Sequence, residues 1–94
     1  MPRWLKDVLA RIRELASDRK VRFTHKALRE LATLDLGCKI LEGLTTSDSA
    51  GRNRSVITGD WMYMFKPTVG GTLLYLKVIV RGSCIVISFH EEGQ

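Results

Sequence analysis

Between Thr72 and Glu91 the chain reads Thr-Leu-Leu-Tyr-Leu-Lys-Val-Ile-Val, then Arg-Gly-Ser, then Cys-Ile-Val-Ile-Ser-Phe-His-Glu. Two β-branched, apolar runs around a Gly82-Ser83 dipeptide predict a β-hairpin. Glycine at the first of two loop positions suits a type II′ turn. With Gly82 and Ser83 as the loop, Arg81 pairs with Cys84, Val80 with Ile85, Val78 with Ile87 and Leu76 with Phe89. Lys77 then pairs with Ser88, and Tyr75 with His90. Strand side chains alternate between faces. One face is therefore apolar throughout: Leu74, Leu76, Val78, Val80, Ile85, Ile87 and Phe89. The other face gathers Tyr75, Lys77, Ser88 and His90. The first is the expected core and the second the best place for chemistry. A slip of one residue would mix leucine with histidine on one face, so the hydrophobic pattern itself supports this pairing.

A chain of 94 residues forms one domain with one modest core. Its 45% hydrophobic and 27% charged residues are those of a soluble globular protein. No apolar run approaches the roughly 20 residues of a membrane span. The start, Met-Pro-Arg-Trp-Leu-Lys-Asp, meets charge too often for a secretory signal. A cytoplasmic protein with no membrane partner is the expectation. Cys38 and Cys84 form no C-x-x-C spacing and read as buried, reduced thiols, with a single disulfide left open. Two Cys and two His share no ligand spacing, so neither a metal nor another cofactor is expected. The net charge of +5 and pI of about 9.6 favour a polyanionic partner. Basic charge serving solubility gives the same balance.

Trp4 to Ala16 carries Trp4, Leu5, Val8, Leu9, Ile12 and Leu15 at helical spacing. Asp18 to Phe23 is a basic connector that reads as a short extended segment, with Val21 and Phe23 as anchors and Arg19, Lys20 and Arg22 pointing out. Thr24 is a good N-cap for a helix from His25 to Leu34, with Ala27, Leu28, Leu31 and Ala32 as its apolar stripe. Asp35-Leu36-Gly37 reads as an interruption before a helix from Cys38 to Leu44. Thr45 to Gly51 is a polar loop. Arg52 to Thr58 and Trp61 to Lys66 read as strands around a Gly59-Asp60 turn, and Pro67 to Gly71 as a wide turn into the hairpin. Sequential strands with short turns pair antiparallel. The predicted fold is α+β, with the N-terminal helices on one face of a four-stranded antiparallel sheet.

His90 is suited to proton transfer near neutral pH, and Lys77 to contact with phosphate. An ordinary amphipathic outer face accounts for the same residues without chemistry. Arg52 and Arg54 alternate on a strand and so point the same way. Arg81 and Lys66 add to the basic surface. A solvated edge, where positive charge deters strand pairing, explains the arginines equally well. Trp61, Tyr63 and Phe65 share a strand face and read as core, which leaves Met62, Met64 and Lys66 on the polar face. Metal-independent RNA cleavage needs a base for the 2′-OH, positive charge for the phosphorane and an acid for the leaving 5′ oxygen. His90, Tyr75, Lys77 and the arginines are residues of the right kinds. There is no G-x-S-x-G motif and no phosphate loop of the G-x-x-x-x-G-K type.

Several stretches resemble the MqsR family of bacterial toxins, within the wider RelE-like superfamily. They are Val21-Arg22-Phe23-Thr24-His25-Lys26-Ala27-Leu28, Leu34-Asp35-Leu36-Gly37, Ile40 to Asp48, Trp61 to Pro67, and above all Leu74 to Val80 with Ile85 to Phe89. The resemblance runs from about Val21 to Glu92. It implies a RelE-like α+β fold and a toxin of a type II toxin–antitoxin pair. Such a toxin cuts messenger RNA without a metal, with the ribosome as a candidate partner. It is held inactive by an antitoxin, expected to be a helix-turn-helix DNA-binding repressor. Tyr75 matches the family's site tyrosine. Met62 stands where the family has glutamine, and His90 where it has lysine. Arg52 and Arg54 are the nearest substitutes for its basic loop residue. On this reading His90 is the general acid or base, Tyr75 assists, and Lys77, Arg52, Arg54, Arg81 and Lys66 bind phosphate. The alternatives from the sequence are a non-catalytic RNA- or protein-binding module on the same fold, or a RelE-superfamily toxin acting on DNA gyrase.

Overall fold

A computed structural model describes residues 2–30 and 34–91. Its first element is α1 (Arg3–Ser17), which buries Leu5, Leu9, Ile12, Leu15 and Ala16 as its spacing requires. The strand β1 (Val21–Phe23) follows, then α2 (His25–Glu30) and α3 (Leu34–Glu42). A single 3₁₀ turn (Thr46–Asp48) leads into β2 (Ser49–Arg54) and β3 (Trp61–Phe65). The chain ends with β4 (Thr68–Val69), β5 (Thr72–Val80) and β6 (Cys84–Glu91).

The fold is α+β, but the sheet is mixed and has six strands, in the order β1-β6-β5-β3-β2 with β4 paired to β5 alone. The predicted four-stranded antiparallel sheet lacks two short members. The basic connector is one of them: Val21, Arg22 and Phe23 pair in parallel with Cys84, Ile85 and Val86. The expected extended segment is there, with Val21 inward and Arg22 outward as read, but its partner lies some sixty positions away and leaves no local sign. The other is β4. There Gly70 and Gly71 both take positive φ, 59° and 82°, and make a tight two-residue turn inside the expected wide one.

Helix boundaries differ for a similar reason. The Asp35-Leu36-Gly37 stretch lies inside α3, because Gly37 serves packing: the Phe23 ring sits where its Cβ would be. Thr24 caps α2 as expected, its Oγ1 accepting from the Ala27 N–H at 3.2 Å. Leu28, expected inside, is 51% exposed, while Ala27 is fully buried. The expected inward Leu31 and Ala32 lie outside the described residues. β2 begins at Ser49, inside the expected loop, and ends at Arg54, short of the expected Thr58. Beyond it the Ser55 N–H donates to the Asp60 carbonyl, and the chain turns through Gly59 at φ 76°.

One core joins the layers. Leu5, Leu9 and Ile12 of α1 meet Ile40 and Leu41 of α3, Tyr63 and Phe65 of β3, Leu76 and Val78 of β5, and Val86 and Phe89 of β6. The Arg13 guanidinium fastens α1 to the end of α3, with Nε donating to the Leu44 carbonyl at 3.1 Å. Cys38 and Cys84 are both buried and unbridged. Burial in this core pushes the Cys84 thiol up to about 12. No described helix is long and apolar enough to cross a membrane.

Candidate functional site on the outer sheet face

The hairpin places the site, by a route the sequence does not show. Its loop is three residues, Arg81 to Ser83, so Val80 pairs with Cys84, Ile79 with Ile85 and Val78 with Val86. Gly82 lacks the positive φ of a type II′ turn. The ladder then skips one residue: between Lys77 and Val78 the register shifts, and Ile87 is the unpaired extra residue of a β-bulge. Beyond the bulge the predicted pairs return: Lys77 opposite Ser88, Leu76 opposite Phe89, Tyr75 opposite His90. The longer loop and the bulge cancel. Near the turn the correction falls on β6 alone. Val78 and Val80 keep the core side as expected, but Cys84 and Val86 fill the core opposite them, and Ile85, expected there, is half-buried on the other side opposite Ile79. Ile87, also expected in the core, is the half-buried extra residue of the bulge.

A bulge leaves a carbonyl out of the ladder, and here it has a partner. The Thr24 hydroxyl, while capping α2, donates to the Ile87 carbonyl at 2.9 Å. The start of α2 thus holds the irregular strand in place.

On the face turned away from α1, the Tyr75 and His90 rings stack at 5.2 Å between centroids and 28° between planes. The Ser88 Oγ lies 3.2 Å from His90 Nδ1, and Ser88 is only 2% exposed. A buried hydroxyl against one ring nitrogen fixes the imidazole's orientation. Two ammonium groups approach the Tyr75 ring: Lys66 Nζ at 5.6 Å and Lys77 Nζ at 5.9 Å from its centroid. Met64 pairs with Lys77 and Met62 with Ile79, so both methionines line this face as expected once Tyr63 and Phe65 are core. Asn53 Nδ2 reaches Met64 Sδ at 3.7 Å. The site is a shallow sheet surface: a histidine held by serine, stacked on a phenol, and flanked by two positive charges. Such a set can move a proton beside an anion. Among the described residues, no three of His, Cys, Asp and Glu come together as metal ligands.

The arginines fall elsewhere. Arg52 pairs with Tyr63 and Arg54 with Trp61, which sets both on the opposite, helix-bearing face. There Arg52 lies between two indoles, its Cζ 4.6 Å from the Trp4 centroid and 3.8 Å from that of Trp61. Arg54 stacks on Trp61 at 4.5 Å. Trp4, unassigned from sequence except as core, is the partner that draws Arg52 inward. Arg81 sits at the turn end of the hairpin and is ion-paired with Asp60. That pairing holds the Asp60 carboxyl below its ordinary range. Of the predicted residues, the structure brings together Tyr75, Lys77, Lys66 and His90, and separates Arg52, Arg54 and Arg81 from them.

No family model matches the chain, and no curated protein matches it. The functional reading therefore rests on the residues themselves.

Proposed function

We propose that this protein is a metal-independent endoribonuclease that cleaves messenger RNA, a RelE-like toxin of the MqsR type belonging to a type II toxin–antitoxin pair. The observation that carries the reading is the Tyr75–His90 stack with Ser88 on Nδ1 and two lysines alongside.

With Nδ1 engaged by Ser88, proton transfer falls to His90 Nε2. As a base it takes the 2′-OH proton while that oxygen attacks the adjacent phosphorus. As an acid it protonates the departing 5′ oxygen. The products are a 2′,3′-cyclic phosphate and a 5′-hydroxyl. Lys77 and Lys66 stabilise the charge that builds on the phosphorane. Tyr75 holds the imidazole by stacking and offers its hydroxyl to the same phosphate. Histidine where the resembled family has lysine keeps a side chain able to act as general acid or base at that position. Arg52 and Arg54 take no part at this phosphate, since they lie on the other face. The partners that follow are mRNA, an inhibitory antitoxin with a helix-turn-helix and, for substrate presented in translation, the ribosome. The setting is the cytoplasm.

Purified protein incubated with single-stranded RNA in EDTA is expected to cleave it, and His90→Ala to slow cleavage by about 10²–10⁴-fold. Equal cleavage by His90→Ala sinks the assignment. RNA that is bound with a steep salt dependence but left intact by the wild type makes the protein a non-catalytic binder. Growth arrest with intact mRNA points to DNA gyrase instead.

A further inference from the structure

A second feature lies on the hairpin at the end away from His90. A cavity of about 530 Å³ opens between the end of α1, β1 and the 81–83 loop, lined by Arg19, Lys20, Arg22, Arg81, Gly82 and Ser83. Four cationic side chains border it. Asp35 pairs with Arg19 and Asp60 with Arg81 at its rim. Lys20 and Arg22 are exposed and have no acidic partner among the described residues. The cavity therefore carries a local positive excess.

The backbone at Arg19 gives a second, independent sign. Helix α1 ends with the Arg19 N–H on the Ala16 carbonyl at 3.0 Å and the Lys20 N–H on the Leu15 carbonyl at 2.8 Å. This is the Schellman arrangement, whose left-handed position normally holds glycine. Here it holds arginine, at φ 58°. A charged side chain is kept where the backbone favours none, and it borders this cavity.

The cavity also shares a surface with the Tyr75–His90 site. Arg22 pairs with Ile85, and Ile85 with Ile79, so Arg22 projects on the same sheet face as Tyr75 and Lys77. Half-buried Ile79 and Ile85 lie between the two basic ends. From Ile85 to His90 along β6 is at most roughly 16 Å at about 3.3 Å per residue, a span of a few nucleotides.

We infer that the cavity bounded by Arg19, Lys20, Arg22 and Arg81 is a phosphate-binding site that takes a backbone phosphate of single-stranded RNA a few nucleotides from the bond cut at His90. The inference rests on the RNA-cleavage reading for its ligand, and on the cavity alone for its anion chemistry. Arginine forks and a lysine ammonium suit phosphate oxygens.

The test uses the full chain in two arms. Inorganic phosphate titrated into ¹⁵N-labelled protein is expected to shift the amides of residues 19–22 and 81–83, and the double variant K20A/R22A to abolish the shifts. No shift there overturns the site. In the second arm, 2′-O-methyl RNA, which cannot be cut, is titrated by fluorescence anisotropy. K20A/R22A is expected to weaken a longer oligonucleotide at least about tenfold and to flatten its salt slope by about one for each cation removed from a phosphate, while leaving a dinucleotide unaffected. Unchanged binding of the longer strand overturns RNA as the source of the phosphate, even if free phosphate shifts the amides. Arg19→Gly supplies the residue the backbone favours, so it is expected to fold at least as well as wild type and bind the longer strand more weakly. Unchanged binding there removes Arg19 from the site. Cleavage is scored separately on unmodified RNA. Wild-type binding through the cavity without cleavage fells the nuclease reading and leaves the phosphate site standing.

Discussion

Gly37→Ala is expected to destabilise this protein, although alanine is the better helix former. A Cβ at Gly37 would stand 2.5 Å from Phe23 Cζ and 3.0 Å from Cε1. Carbon atoms rest at about 3.5–4.0 Å, so the ring must retreat by about 1 Å. Its strand is held in register with Val86, which limits that retreat. Over-packing of this kind costs about 1–3 kcal/mol. Alanine returns about 0.8–1.0 kcal/mol over glycine in a helix interior. Phe23 is only half-buried, so the lower part of the over-packing range, about 1–2 kcal/mol, applies, and the net loss is about 0.5 kcal/mol. With a urea dependence near 1 kcal/mol per molar, the unfolding midpoint falls by about 0.5 M. The decisive measurement repeats the substitution in a Phe23→Ala background. There the clash is gone, and Gly37→Ala should raise the midpoint. Gly43→Ala, whose nearest contacts would lie at 3.6 Å, is the control and should move it little. If Gly37→Ala raises the midpoint equally in both backgrounds, the ring does not occupy the glycine's space and the reasoning is wrong.

Three other outcomes follow from described contacts. Arg52→Ala removes a guanidinium from between two indoles and should cost about 1–2 kcal/mol, with a change in tryptophan fluorescence and no change in RNA cleavage; a fall in cleavage at unchanged stability would return Arg52 to RNA binding. The Cys84 thiol has a folded pKa of about 12, above the roughly 8.5 of an unfolded chain. Its contribution is thus complete below the unfolded value and is lost as pH rises toward the folded one, by at most about 1.4 kcal/mol per unit. Urea midpoints between those limits should fall more steeply for wild type than for Cys84→Ala, and parallel curves would refute this. Thr24→Val loses both the helix cap and the bond to the Ile87 carbonyl, for about 1–3 kcal/mol, whereas Thr24→Ser should keep most of the stability. Equal losses in the two would show that the hydroxyl does not hold the bulge.

How much of this was legible in the sequence depended on how far apart the interacting residues lie. Repeating patterns within one element were readable: the stripe of α1, the Thr24 cap, the alternation of β5 and the aromatic core face of β3. The Tyr75–His90 and Lys77–Ser88 pairs were readable too, because loop length and bulge offset one another. Contacts between distant segments left no local trace. β1 was legible as a short extended piece, but not as the parallel partner of Cys84 to Val86. Gly37 looked like a helix breaker because the ring that requires it sits fourteen residues earlier, on another element. Arg52 and Arg54 were correctly placed on one face, but nothing near them in sequence shows that Trp4 and Trp61 claim that face. The basic connector was seen as outward-pointing charge, and only its pairing with β6 brings Arg22 onto the sheet face of the candidate site.

The bulge at Ile87 has a consequence for how chains of this kind are compared. In an unbroken strand Cys84, Val86, Ser88 and His90 would all face the same way; here the first two take the core face of the sheet and the last two the other face. What makes the site possible is thus a matter of parity as much as of residue type. Straightening the strand with Ile87 kept in the ladder would turn Ser88 and His90 toward the core and Phe89 toward water. Removing Ile87 would instead join Val86 directly to Ser88, opposite Val78 and Lys77, and leave Ser88 and His90 on the outer face. Between relatives, a histidine one residue nearer the turn on an unbulged strand therefore marks the same site, and the count from the turn has meaning only together with the bulge.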